Sequence, residues 1–379
     1  MFARCNCYKY LTTPTICRLI PFTFPHRKGG NRRLTEGFPI QTIIYKNNHK
    51  GTVTPFLLRY IMELTTDILL NKDNLKQILQ TDKYDPFLKD KARGIALSTY
   101  NNIFIKSQIN FTNHCKNDCY YCNLMKSNTT IQRYRLDTDE ILNYCQKSTD
   151  LGLNSILLQG GDDGFYSNGK IVEIIKAIKH KFPQTTLTLS IGERSYDAYK
   201  SFYNAGADSY LLRHKTCTLE HYAKLHPEEM SLFTRLNCLK NIKQIGFKAG
   251  CGIMVGSPYQ TTDNLADDIL YVYDYEPEII EIRPFIPEKD TVFQDSKVCN
   301  IDITLRIIAI MRILLPNALI SSPLGLFKNT REDAILYGAN VIMYNICNHS
   351  NIIKQNKKKQ PESLQQLKNH INNIGYNLV

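Results

Sequence analysis

The chain has 379 residues, of which 43% are hydrophobic, and this is enough to bury the core of one large α/β domain. Its formal net charge is +12, but much of the basic excess lies near the two ends, which indicates solvated basic tails rather than a nucleic-acid surface. No apolar run reaches the roughly 18 residues of a membrane-spanning helix, so we expect neither a membrane nor a nucleic acid as a partner. The twelve cysteines show no paired pattern, which predicts a reducing compartment.

Residues 1–60 form a basic leader. Seven lysines and arginines precede its first acidic residue, Glu36, and no further acid appears before Glu63. This composition is typical of an organelle transit peptide, although Pro14, Pro21 and Pro25 weaken the amphipathic helix that such signals prefer. A disordered tail or a misassigned start is the alternative. The sequence therefore predicts a targeting segment that lies outside the folded domain.

After the leader, residues 61–100 are predicted to form a short helical preface, and residues 101–379 alternate between β-like and helix-like segments. The predicted strands are 103–111, 155–159, 185–191, 209–213, 248–255, 279–285, 319–322 and 340–344. The predicted helices are 138–150, 170–181, 196–204, 233–245, 264–275, 303–315, 331–337 and 361–374, the first opened by the capping-box residues Asp137 and Glu140. Eight β-then-α units predict an α/β fold, a (β/α)8 barrel of the TIM type with its chemistry at the carboxyl ends of the strands.

Three cysteines follow the first predicted strand with the spacing C-x3-C-x2-C: Cys115, Cys119 and Cys122. Thiolates are soft ligands that suit iron–sulfur clusters or zinc. A 4Fe-4S cluster held by three cysteines leaves one iron open to a chelating substrate, and S-adenosylmethionine (SAM) can chelate it through its amino and carboxylate groups. The alternative is a structural zinc site, but such sites use four ligands, and no second cysteine pair lies nearby. The spacing therefore predicts a radical SAM enzyme.

Polar residues at the ends of the next three strands are candidates for holding SAM. Two glycines in the run Gln159, Gly160, Gly161 and Asp162 would let the backbone approach a ligand closely, so that carbonyls or an acid could hold an ammonium group. Ser190 and Glu193 end the third strand, where the carboxylate could bind a ribose hydroxyl. Arg213 ends the fourth strand and lies on the same side as Lys215 by alternation, opposite His214.

Arg235, on the helix that follows the fourth strand, is the candidate for bidentate binding of the SAM carboxylate. Simple solvation at the surface is the alternative for an arginine in this position.

Longer motifs carry a family resemblance over residues 63–345. They are NFTN with the three cysteines at 110–122, LLQGGDD at 157–163, TLSIGE at 188–193, AGADSYLLRH at 205–214, RLNCL at 235–239, MVGSP at 254–258, PFIP at 284–287, RILLP at 312–316 and GANVIM at 338–343. In these segments the sequence resembles the HydE family, the radical SAM maturases of iron-only hydrogenases within the biotin-synthase-like branch. It departs from that family at Lys215, where an acidic residue is usual, and at Arg283, where glycine is expected.

The resemblance implies an enzyme that cleaves SAM and takes part in assembling the active-site cluster of a hydrogenase. Its substrate would be a small molecule or an iron–cysteine complex bound inside the barrel. Partners would be an electron donor such as ferredoxin and the other hydrogenase maturases. The leader would then address a mitochondrion-related, hydrogenosome-like organelle, with a cytoplasmic location as the alternative.

Other functions are compatible with the same motifs. One is a related radical SAM enzyme, such as a methylornithine-synthase-like mutase or a biotin synthase. A biotin synthase should carry further barrel cysteines, and Cys217, Cys238, Cys251 and Cys347 do not form that family's pattern. The other is a non-catalytic iron–sulfur or zinc protein derived from the family.

Overall fold

A computed structural model describes residues 65–323, 330–347 and 362–379 of the chain. The predicted leader, residues 1–60, and Pro361 at the start of the last predicted helix lie outside the described residues. No helix in the described ranges is long and apolar enough to span a bilayer. The nine cysteines in these ranges are free thiols.

Three helices precede the first strand: α1 Thr66–Leu69, α2 Lys72–Leu79 and α3 Asp85–Thr99. Helix α2 begins where the Asn71 side chain accepts a hydrogen bond from the amide of Asn74, and it buries Leu75, Ile78 and Leu79 along one face. Helix α3 has a proline in its first turn, where a missing amide hydrogen costs nothing. These helices are the predicted helical preface.

The strands of the barrel are β1 Asn102–Thr112, β2 Ser155–Gly160, β3 Thr186–Ser190, β4 Ser209–Leu211, β5 Lys248–Val255, β6 Ile279–Pro284, β7 Leu319–Ser321 and β8 Val341–Asn345. Each strand pairs in parallel with its neighbours in sequence, and β1 pairs with both β2 and β8, so the sheet closes. A short ninth strand, β9 Asn377–Leu378, adds to the start of β1. The predicted (β/α)8 barrel is confirmed.

The helices outside the barrel are α4 Thr138–Asp150, α5 Asn168–Lys181, α6 Tyr196–Asn204, α7 Leu219–Leu225, α8 Leu232–Ile245, α9 Thr262–Tyr275, α10 Ile301–Leu314, α11 Thr330–Leu336 and α12 Leu364–Asn373. The predicted capping box at the start of α4 is present, with Asp137 and Glu140 bonded reciprocally. Helix α7 was not predicted. Its seven residues lie in the connection after β4, where no periodic pattern long enough to indicate a helix is visible.

Alternation along the strands separates an outer core from the barrel interior. Outward-facing residues of the strands join the helices in a large apolar core, and a smaller outer cluster packs against α12. The inward-facing residues Leu157, Leu211, Ile279, Val341 and Met343 form a separate apolar cluster. They come from β2, β4, β6 and β8, which are alternate strands of the barrel. The carboxyl-terminal half of the interior is left to polar side chains.

Candidate active site

The three cysteines lie on the loop between β1 and α4, at the carboxyl end of the barrel, and all three are partly buried. Backbone hydrogen bonds give the loop a compact form: the Cys122 amide donates to the Cys119 carbonyl at 3.0 Å, and the Met125 amide donates to the Cys122 carbonyl at 3.1 Å. Cys119 Sγ lies 3.6 Å from Met230 Sδ, which covers it on one side. The loop therefore holds its thiols in place through its own turns.

Arg133, a residue of the same loop, stabilises it through hydrogen bonds to the backbone. This role was not predicted from the sequence. Its guanidinium donates to the carbonyl of Asn113, to that of Leu124 at 3.0 Å, to that of Met125 at 2.6 Å and to that of Asn128 at 2.9 Å. A planar fork with five N–H donors can satisfy several carbonyls at once, which a lysine cannot do. Nothing in the local sequence indicates this role, because all four acceptors are backbone atoms.

Burial raises the pKa of all three cysteine thiols, and it raises that of Cys119 to about 12, with the neighbouring Cys122 contributing in the same direction. The thiolate ligands therefore need a positive centre to form at neutral pH, as metal binding provides. Thiolates are soft ligands that suit iron–sulfur clusters, and each cysteine of an iron–sulfur cube binds a different iron. The donor set fits the cluster.

The Gly-Gly turn after β2 packs directly on the cysteine loop. A Cβ atom on Gly161 would lie 2.1 Å from the carbonyl oxygen of His114 and 2.9 Å from Cys115 Cβ, so only glycine fits. The amide of Lys116 donates to the Asp162 carbonyl at 2.8 Å, and its ammonium pairs with the Asp162 carboxylate at 3.1 Å. The turn at Gly160 and Gly161 thus supports the cluster ligands.

Asp162 is buried and already has two cationic partners, because Arg194 also pairs with it. Asp163 pairs in the same way with Arg135, whose Nε lies 2.8 Å from its carboxylate. The structure thus places both acids of this turn in ion pairs within the protein. That Asp162 binds SAM remains a prediction.

Gln159, Ser190 and Arg213 meet inside the barrel. The Arg213 guanidinium donates to Gln159 Oε1 at 2.8 Å and to Ser190 Oγ at 3.4 Å. Glu193 and Arg235 form an ion pair, and Arg235 Nη1 donates to the backbone carbonyl of Arg213 at 2.8 Å. Five of the six side chains predicted to bind SAM, all except Asp162, therefore form one connected network at the ends of β2, β3 and β4 and on α8.

Arg235 is buried, and this excludes the surface alternative for it. Its pKa stays above the usual range despite burial, because nearby tyrosines and Glu193 favour its charged form. The Glu193 carboxylate is still about one quarter exposed, with a side-chain accessibility of 25%, so a ligand can reach it.

Glu281 is a second residue that sequence reasoning missed. It points inward from β6, is almost wholly buried, and is paired with both Arg213 and Arg283, with Arg283 Nε at 2.6 Å from its carboxylate. Although burial opposes ionisation, the two guanidinium groups lower the pKa of Glu281 to about 2. The sequence does contain a signal for this residue, because it is an acid within the apolar run of β6. A charge in such a strand is seldom buried without a partner.

Lys215 lies on the inner side of the barrel with Arg213, while His214 points outward and is buried against Tyr271 of α9, the two rings being 5.0 Å apart. The backbone of Lys215 is left-handed, with φ 73°. It is fixed by backbone hydrogen bonds to Gly252 and Met254 of β5. Its ammonium lies 5.2 Å from the centre of the Tyr121 ring. Burial, and next the charge of Arg213, lower the pKa of Lys215 to about 7.

Comparison with known proteins agrees with this geometry. The sequence profile of the Radical SAM superfamily matches residues 109–272, which include the cysteine loop and β2 to β5. The "[FeFe] hydrogenase maturase subunit HydE" of Thermotoga maritima is 38% identical over 246 residues, which cover 64% of this chain and 70% of that protein. The chain is a radical SAM enzyme of the HydE family.

More distant relatives share the barrel. The 3-methylornithine synthase of Methanosarcina acetivorans is 26% identical over 284 residues, which cover 73% of this chain and 79% of that protein. A crystal structure of a methylornithine synthase superposes with a TM-score of 0.74 at 21% identity, covering 85% of this chain and 96% of that one. This second likeness shows the fold alone.

Radical SAM enzymes use a 4Fe-4S cluster and SAM, and in this HydE-family enzyme Cys115, Cys119 and Cys122 are the residues that would hold the cluster. When bound, the cluster supplies the electron for reductive cleavage of SAM. The protein's own contribution is to fix the three thiols through Arg133 and the Gly161 turn. A network of polar side chains rich in arginine lies at the carboxyl ends of β2, β3, β4 and β6.

Proposed function

We propose that this enzyme takes part in assembling the active-site cluster of an iron-only hydrogenase. The observation that carries the proposal is the 38% identity to a protein named as a hydrogenase maturase subunit. The 26% identity to a methylornithine synthase is clearly lower, which favours maturation over the mutase alternative.

The charges inside the barrel support an anionic substrate. Arg213, Arg283 and Lys215 face the interior near the cysteine loop, and Glu281 is the acid paired with the two arginines. A partly desolvated excess of positive charge attracts anions more strongly than it would in water. A small anionic molecule, such as an iron–cysteine complex, is therefore the substrate class we propose. The other maturases and an electron donor such as ferredoxin are the proposed partners.

Maturation in a heterologous host tests this function. We expect that an iron-only hydrogenase, co-expressed anaerobically with this chain and the two other maturases, evolves hydrogen, and that omitting this chain removes the activity. Cys119→Ala should fail in the same way, while Lys126→Gln, which changes an exposed side chain of the same loop, should support normal activity. Inactive hydrogenase together with formation of methylornithine would replace the proposal with the mutase function.

We also propose that residues 1–60 direct the enzyme to a mitochondrion-related organelle, because a single acidic residue accompanies many basic ones in that segment. A fluorescent protein fused to this segment should accumulate in the organelle of a host that has hydrogenosomes. Replacing its arginines and lysines with glutamine should return the fusion to the cytosol. Cytosolic fluorescence of the unmodified fusion would contradict the proposal and favour the cytoplasmic alternative.

A further inference from the structure

Lys215 differs from the inward-facing arginines in forming no ion pair with a described acidic residue. The carboxylate of Glu281 is shared by Arg213 and Arg283, and Arg235 is paired with Glu193. In the part of the chain that the structure describes, no ion pair includes Lys215, whose ammonium lies over the ring of Tyr121 instead. Lys215 is therefore a cation at the cysteine loop that no described carboxylate contacts directly.

The fold holds this charge against the cysteine loop. The ammonium lies 5.2 Å from the centre of the Tyr121 ring, and Tyr121 is the residue directly before the ligand Cys122. A cation at this distance from the loop acts electrostatically on any charge that the loop binds. The backbone of Lys215 is bonded on both sides to β5, so the side chain starts from a rigid point.

We propose that Lys215 is a tuning residue for the electron-transfer step, in which its ammonium over the ring of Tyr121, at the cysteine loop, stabilises the reduced state of the cluster. Reduction adds one electron, taken from a low-potential donor of the ferredoxin class, and no proton, so the cluster and its three thiolates become more negative by one charge. A nearby cation stabilises the more negative state, and net charge around a cluster is one of the known determinants of its potential. This inference deepens the proposed function and rests on cluster binding by Cys115, Cys119 and Cys122.

Substitutions at Lys215 isolate the charge. The left-handed backbone at this position strains every residue with a Cβ atom alike, so exchanging one long side chain for another leaves that cost unchanged. Lys215→Gln removes the charge, Lys215→Glu reverses it, and Lys215→Arg keeps it. Lys126→Gln is the matched control. It removes one charge from the cysteine loop, but at a side chain exposed to water, where screening is strong.

The measurement is a redox titration of the reconstituted cluster at about pH 6, below the pKa of about 7 at Lys215 so that its ammonium is charged, without SAM or substrate, followed by the EPR signal of the reduced state. For Lys215→Gln we expect the one-electron equilibrium to shift about tenfold toward the oxidised state, which corresponds to a midpoint potential lower by about 59 mV. Lys215→Glu should shift it further in the same direction. Lys215→Arg and Lys126→Gln should stay close to the wild type.

An unchanged potential in both Lys215→Gln and Lys215→Glu, at normal iron content, would overturn the inference. An equal shift in Lys126→Gln would also overturn it, since the effect would then follow total charge rather than position. If Lys215→Glu does not bind iron, Lys215→Gln decides alone. Shifted potentials in a protein that fails to mature hydrogenase would refute the proposed function and leave this inference intact.

Discussion

Cys119→Ala is expected to abolish cleavage of SAM while the barrel stays folded. The change removes one of three ligands, and the loop that carries it lies outside the strands and helices that bury the core. Formation of 5′-deoxyadenosine should fall below detection, and iron bound after anaerobic reconstitution should drop well below that of the wild type. The free energy of unfolding, measured by thermal denaturation, should change by no more than about 1 kcal/mol, which is the range of an ordinary substitution.

Cys251→Ala provides the control for this prediction. Cys251 is a wholly buried thiol that faces away from the barrel interior on β5, so its loss should cost some stability and leave both iron content and SAM cleavage intact. Normal iron and normal cleavage in Cys119→Ala would show that the cluster is held elsewhere. Zinc without iron in the reconstituted wild type would argue for the structural metal site instead.

Glu281→Gln is expected to lower the free energy of unfolding at pH 7 by about 3 to 5 kcal/mol, because it removes the buried carboxylate and leaves the partly buried charges of Arg213 and Arg283 without their partner. Denaturant unfolding of the purified protein measures this. Asp263→Asn is the control, since its contacts with Lys72 and Lys76 are largely exposed to water and should contribute little to stability. Equal effects of the two substitutions would contradict the importance assigned to the buried cluster.

The effect of Glu281 has a defined pH dependence. Its pKa is about 2 in the folded protein against an ordinary value of 4.5, so the unfolded chain takes up the proton first as the pH falls. The stabilisation is fully present above pH 4.5 and disappears as the pH approaches about 2. The difference between wild type and Glu281→Gln should therefore shrink through this acid range. A difference that stays constant from pH 7 to pH 3 would assign the effect to packing rather than to charge.

Periodicity and spacing were sufficient to predict the barrel and the metal ligands. All eight strands of the barrel lie where alternation and apolar runs predicted them, and the cysteine loop follows β1 as expected. The cysteine spacing is local, so sequence alone carries it. Helix α7 was missed because seven residues are too few to show a clear hydrophobic periodicity.

The sequence alone could not predict the ion pairs between side chains of distant elements. Glu281 and Arg213 are separated by 68 residues, and Glu193 and Arg235 by 42 residues, so which acid meets which arginine depends on the closed order of the strands. Arg133 could not be predicted for a different reason: its acceptors are backbone carbonyls, which any sequence would supply. Candidate residues could thus be named one by one, but not their partners.

The contact between Gly161 and the carbonyl of His114 also bears on the order of events in biosynthesis. The cysteine loop takes its form against the turn after β2, and that turn exists only once β2 has paired with β1 across the intervening helix α4. The chain must therefore complete its first β-α-β unit before the three thiols are arranged to receive iron. Iron delivery can then come no earlier than the pairing of β1 with β2. A chain that crosses a membrane unfolded would acquire its cluster only at its destination.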